Sequence, residues 1–412
     1  MRHWIRRCRD WAMSDLLHLG RPRPTEQAVH TRYEKAGLTL YGPPVPWNAD
    51  AVVVEVLARL PPAARQRADF SLRLPGRDPI PADAVRPDDT DGARHRVYFR
   101  LPVPPESVTA EVLWKHRLLA TVPLMVLPAD QFLAGLRVAN PTAAVRLGSQ
   151  AVAAQTFVAA QCRGLTAAAV LRSPTGLAPL ADLGVTVTFR PDRGGAEVVV
   201  PAPLTGTQLA GKEALLTAAP TKAPRRAGGY TVAWSVGDRE LYTQRLTAVT
   251  GRRFIDSLRV SDARFVSADK SGKVKVARHP PPAGEAARLG PCFLLASRDP
   301  GAAGLLTLQV IAIGTSSGKG PLTLEQQVLV TDGPTAFAPG LLDAGDLAGL
   351  TGFELRHRGR VLGVLSVSPV PSAAFNAEGG FKPPPDFAWS NTAEDELTER
   401  LGKLMGGSGD GR

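Results

Sequence analysis

Apolar and polar residues alternate with a period of two along much of this chain. Ala110, Val112 and Trp114 share one parity, as do Val232, Trp234 and Val236, and then Phe353, Leu355 and His357. Successive strand side chains point to opposite faces, so each trio occupies one face of a strand. A polar pair follows each trio, Lys115-His116, Gly237-Asp238 or Arg358-Gly359, and a second apolar stretch follows the pair. That order predicts a β-hairpin each time. Further apolar, β-branched runs predict strands at Ala51–Leu57, Phe70–Leu74, Val97–Leu101, Val152–Val158, Ala168–Leu171, Val185–Phe189, Val198–Val200, Phe293–Leu295, Leu305–Ile313 and Leu322–Val330. Turns such as Pro75–Asp78, Pro191–Gly195 and Asp332–Pro334 separate them.

The hairpins belong to a longer repeat. Leu119–Phe132 aligns without gaps with Leu241–Phe254 and Leu362–Phe375, at offsets of 122 and 121 residues. The expected units are 41–128, 129–250 and 251–371, and Phe132, Phe254 and Phe375 fall at their junctions, where a core plug between neighbours is the plainest role. About seven short strands per unit is the element count of a two-sheet sandwich. The stretch Gly229–Leu241 resembles the last hairpin of immunoglobulin-like and fibronectin-type-III-like domains, in which a tyrosine near the start of the penultimate strand ties down a corner. Tyr230 holds that place here; Val108 and Thr351 stand there in the other units. The resemblance implies an all-β chain of three tandem immunoglobulin-like antiparallel β-sandwiches. It is to a superfold, which carries no function by itself.

The ends depart from the repeat. Residues 1–40 read as an extension, partly helical or disordered, with a short helix at Asp15–Leu19 or Thr25–Lys35. Residues 372–412 read as a Pro/Gly-rich linker followed by a short amphipathic helix. Asn391 or Thr392 caps it, Glu394, Asp395 and Glu396 fill its first turn, and Leu397, Leu401, Leu404 and Met405 form one apolar face. Such a face either folds back or docks on another protein after a tether.

Gly and Pro, 40 and 37 of 412 residues, favour short elements over long helices. The net charge of +11 is spread thinly, and its only tight cluster is Arg2, Arg6, Arg7 and Arg9. Nucleic-acid binders concentrate their cations, so nucleic acid is not the expected partner. No apolar run is long enough for a membrane span and no secretory leader follows Met1, which sets the expectation of a cytoplasmic protein; Met13 is an alternative start.

Chemistry-bearing motifs are few. Cys8, Cys162 and Cys292 are far apart and odd in number, and the seven histidines never pair at ligand spacing, so neither disulfides nor zinc is expected. Gly314–Gly320 lacks the glycine and the hydroxyl of a phosphate loop, with Ile313 and Gly320 at those places, and reads as a hairpin loop, as does Lys270–Lys273. Asp88–Gly92 gathers carboxylates but lacks the EF-hand ligands at Pro87 and Tyr98; it reads as a solvated loop. No nucleophile elbow or metalloprotease helix occurs. With no catalytic, cofactor or metal residues to name, the reading is a non-enzymatic interaction or scaffold protein whose partner is another protein. Two alternatives stay open: binding of an anionic polymer or glycan through a stripe of Arg137, Arg146, Arg259 and Arg264, and a noncanonical enzyme site in the insert around Leu204–Arg226.

Overall fold

A computed structural model describes residues 24–281, 284–314 and 322–367. The chain is all-β: strands in facing sheets, with only short helices between them. Three large cores fill the spaces between the sheets.

Around the first core, one sheet runs Leu38–Tyr41, Thr25–Lys35, Ala51–Arg59, Arg94–Leu101, Ala84–Pro87 in spatial order. The other runs Arg117–Leu124, Val108–Trp114, Phe70–Arg73, Ile80–Pro81. Val52, Val54, Val56, Val97 and Phe99 meet Phe70, Leu72 and Val112 between them. Thr25–Lys35 is therefore a strand and not the helix expected from sequence. It pairs along its length with Ala51–Arg59, whose apolar run offers an edge that a helix would leave without hydrogen bonds. Part of the expected 1–40 extension thus belongs to the first sandwich; Asp15–Leu19 lies outside the described residues.

The second core lies between the sheet Gln150–Ala153, Arg137–Leu147, Cys162–Arg172, Glu213–Ala218 and the strands Val198–Pro201, Val185–Pro191, Gly228–Val236, Arg239–Val249. Around the third, Val274–Ala277, Leu258–Ala268 and Arg288–Ser297 face Ala302–Ile313, Thr323–Thr331, Gly352–His357 and Arg360–Ser366. All three predicted hairpins form, and each carries a register shift near its turn. The matching helices Ala129–Gly135 and Gly251–Asp256 bury Phe132 and Phe254 at equivalent places. Tyr230 Oη donates to the Arg226 carbonyl at 3.0 Å, the corner contact that the resemblance implies.

One predicted strand breaks in two. Val152–Val158 divides into Gln150–Ala153, in the first sheet of the second core, and Thr156–Val158, which crosses to the opposite sheet. There it runs parallel to Arg239–Val249 on one side and to Ala302–Ile313 on the other. The result is one nine-stranded sheet shared by the second and third cores. Because neighbouring side chains of a strand point opposite ways, Phe157 enters the second core and Val158 the third. Gln161 extends the seam: its side-chain amide donates to the Leu305 carbonyl at 2.5 Å and accepts from the Leu305 N–H at 2.9 Å.

The first and second cores also meet tightly. Val45 N–H donates to the Met125 carbonyl at 2.7 Å and Trp47 N–H to the Leu127 carbonyl at 3.0 Å. The Trp47 ring lies 5.7 Å from that of Phe132. Buried Lys35 donates to the Asn48 carbonyl at 2.6 Å and pairs with Asp182, while Asn48 Nδ2 donates to the Pro179 carbonyl at 3.0 Å.

Candidate functional site

The junction phenylalanines and tail residues singled out from sequence separate into interior and undescribed positions. Phe132 belongs to the second core, against which Trp47 from the first unit also packs; Phe254 belongs to the third, its ring filling the space left by Gly304. Phe375, Leu397, Leu401, Leu404 and Met405 lie outside the described residues. The basic stripe does not form. Arg137 and Arg146 are exposed, but Arg264 is 2% exposed and bound to Asp262 at 2.8 Å. The 204–226 insert has Glu213 as its only acid, and that carboxylate pairs with Arg172 at 3.2 Å, so acids do not converge there. The Asp88–Gly92 loop is solvated as expected at Asp89, Thr90 and Gly92, but Asp88 itself is buried, accepting from Thr90 at 2.7 Å and from Arg96 at 2.8 Å. A guanidinium occupies the place a cation would take. Those hydrogen bonds, Thr90 first and Arg96 next, hold the Asp88 carboxyl below its usual range. Lys270–Lys273 is the hairpin turn expected, with Asp269 Oδ1 accepting from Ser271 N–H at 2.8 Å and Lys273 N–H at 3.0 Å. Residues 315–320 of the other glycine loop are undescribed.

The described residues gather functional groups on the outer face of the five-stranded sheet. In Arg94–Leu101 the sequence Arg-His-Arg-Val-Tyr-Phe-Arg-Leu buries His95, Val97, Phe99 and Leu101 and turns Arg94, Arg96, Tyr98 and Arg100 outward. Register places Glu55 beside Tyr98, Val53 beside Arg100 and Arg32, Arg86 beside Arg96, and Tyr41 beside Arg32. Tyr41 is 72% exposed.

Most of the cations are neutralised. Arg96 binds buried Glu55 at 2.6 Å and Asp88 at 2.8 Å, Arg100 binds Glu34 at 2.6 Å, and Arg94 binds Asp91 at 3.1 Å. Arg32 and Arg86 differ. Their guanidinium carbons sit 5.4 and 5.9 Å from the centre of the Tyr98 ring, and neither has a carboxylate partner among the described residues. Arg32 Nε is buried without a hydrogen-bond acceptor. Burial, with the Glu55 charge adding to it, raises the Tyr98 hydroxyl above its ordinary value, so the ring stays neutral between the two cations.

The sequence carried a sign of this face in the strict alternation of Arg94–Leu101, but segment charge hid it. Residues 41–128 hold 11 basic and 10 acidic side chains, a balance that conceals how the sheet sorts arginines onto one side. Elsewhere in the first unit an open cleft of about 860 Å³ lies among Arg73, Arg77, Asp78 and Glu111. Its walls are the turn 74–78 and the strand residues Arg73, Thr109 and Glu111, and the Arg73–Glu111 ion pair crosses it.

No family model matches the chain. No curated protein matches it either. Among solved structures, the chain is similar to FdeC, an Escherichia coli adhesin, at 12% identity and a TM-score of 0.25, over 84% of this chain and 96% of that one. Domains 6-7 of the surface layer protein SbsC match at 9% identity and a TM-score of 0.22, over 48% and 89% of the two chains. A pullulanase from Anoxybacillus sp. LM18-11, complexed with maltotriose, matches at 12% identity and a TM-score of 0.15, over 55% of this chain and 26% of that one. Likeness at this level assigns neither activity nor partner. No helix of the described residues is long and apolar enough to cross a membrane.

Proposed function

We propose that the chain is a non-enzymatic, modular interaction protein: β-sandwich units in tandem hold binding surfaces for another protein in a fixed mutual arrangement. The observation that supports this reading most is the shared strand Thr156–Val158. It hydrogen-bonds the sheets of the second and third cores into one and removes the hinge that a flexible linker would provide. Protein partners recognise surfaces of fixed shape, and rigid presentation lowers the entropy lost on binding.

Affinity capture from the source cells, with the full chain and a chain ending at residue 371 as baits, tests this. A discrete set of proteins recovered by both baits, and absent from an unrelated β-sandwich bait, is the expected result. Recovery by the full chain alone transfers binding to the segment holding Leu397, Leu401, Leu404 and Met405. Recovery of nothing beyond the control overturns the proposal.

A further inference from the structure

We propose that the Arg32–Tyr98–Arg86 stack on the outer face of the first sheet reads carboxylates of an acidic peptide segment in a partner protein; this rests on the chain being an interaction protein. An ordinary surface would leave these two guanidinium groups mobile. Each lies against the same aromatic ring, which restrains it by attraction between cation and π-face. Their strand positions come from opposite sides of Tyr98: Arg86 from Ala84–Pro87, and Arg32 from Thr25–Lys35 across the central strand. A planar guanidinium keeps its N–H edge available when its face is stacked, and that edge matches a carboxylate in bidentate geometry.

The neighbouring charges sharpen the selection. Arg94, Arg96 and Arg100 are engaged with acids of the chain itself, so Arg32 and Arg86 are left to offer donors outward. Arg86 is the exposed member of the pair, so an incoming carboxylate reaches its donors directly. Tyr41, largely exposed one strand away from Arg32, supplies an apolar rim for a neighbouring residue of the ligand. A single-stranded nucleic acid fits less well. Its bases require a free aromatic face, and Tyr98 is already engaged by cations.

The test uses the full chain and two labelled heptapeptides, Glu-Ser-Glu-Ser-Glu-Ser-Glu and the same peptide with Gln for Glu, with a labelled oligo-dT as the third probe. Binding is followed by fluorescence anisotropy at about 50 mM salt, where charge recognition is little screened. The Glu peptide is expected to bind, and the Gln peptide at least tenfold more weakly. Arg32→Gln with Arg86→Gln should lower Glu-peptide affinity at least tenfold. Exposed Arg86→Gln alone should lower it severalfold, and Tyr98→Phe, which keeps the ring, should leave it unchanged. Circular dichroism and melting confirm that each variant is folded; should the double variant unfold, Arg86→Gln decides. Failure of the Glu peptide to bind, equal binding by the Arg variants, or tighter binding of oligo-dT overturns the assignment. Failure here alongside specific capture of a protein by the full chain removes this site and leaves the interaction reading standing; failure of both removes both.

Discussion

At the scale of single residues, the outer face of Leu258–Ala268 and Arg288–Ser297 shows how burial decides chemistry. Val266 and Cys292 form a small apolar cluster there, roofed by Ala338 and Leu341, and the roof passes so close that Gly290 has no room for a Cβ: one would lie 2.3 Å from the Gly340 carbonyl oxygen. Burial pushes the Cys292 thiol up to about 12, and the nearby Asp262 carboxylate adds to the shift. The thiol therefore remains protonated and inert in the folded chain at neutral pH. An unfolded cysteine ionises from pH 9 upward while the folded one holds its proton to about 12, so unfolding releases a proton in that window and stability falls as pH rises through it. The limit is about 1.4 kcal/mol per pH unit. Urea midpoints at pH 7, 9 and 10.5 are expected to decline more steeply for the natural chain than for Cys292→Ser, in which tyrosine ionisation is retained. Parallel slopes would show that the thiol is not the source.

Elements carry the repeat further than residues do. The first and third hairpins turn through paired left-handed residues: Lys115 and His116 at φ of 45 and 64°, Arg358 and Gly359 at 48 and 81°. Glycine takes this conformation without the Cβ clash that histidine meets. His116→Gly gives the first hairpin the residue of the third, and it is expected to raise stability by up to about 1 kcal/mol, net of the added freedom of the unfolded chain. Lys115 is left in place because its N–H donates to the Asp69 carbonyl at 2.9 Å and its ammonium meets the Asp69 carboxylate at 3.3 Å. A lower melting temperature for His116→Gly would mean that the turn pays nothing for its left-handed histidine. These hairpins were legible in sequence because period-two alternation and turn residues are local properties. Tyr230 was legible for the same reason: its acceptor lies only four residues away. Thr25–Lys35 was not: only its last four residues pair locally, with Leu38–Tyr41, and its first seven find their partner only in the distant Ala51–Arg59. Nor was the Arg32–Tyr98–Arg86 stack, which assembles three strands with no common motif.

At the scale of the whole molecule, the question is whether tandem units behave as separate bodies. Short linkers alone would predict independent unfolding, because interfaces between domains of one chain are ordinarily small and polar. Thr156–Val158 makes a different prediction. Thr156 N–H donates to the Gly301 carbonyl at 3.0 Å, Thr247 N–H donates to the Gln155 carbonyl at 2.7 Å, and the side chains of Phe157 and Val158 complete different cores. Neither of those cores can lose its packing without taking this strand from the other, so the second and third should melt in one cooperative transition. Thr156→Pro removes one of the two donors to the Gly301 carbonyl, the Gln155 N–H being the other, and places a proline in the shared strand, while the remaining strands of each sandwich stay intact. Scanning calorimetry of the full chain is expected to show the two joined in a single endotherm, and Thr156→Pro to divide it into a lower and an upper component. Two resolved endotherms for these cores in the natural chain would show that the shared strand does not couple them, and the fixed arrangement on which a rigid interaction scaffold depends would be lost with it.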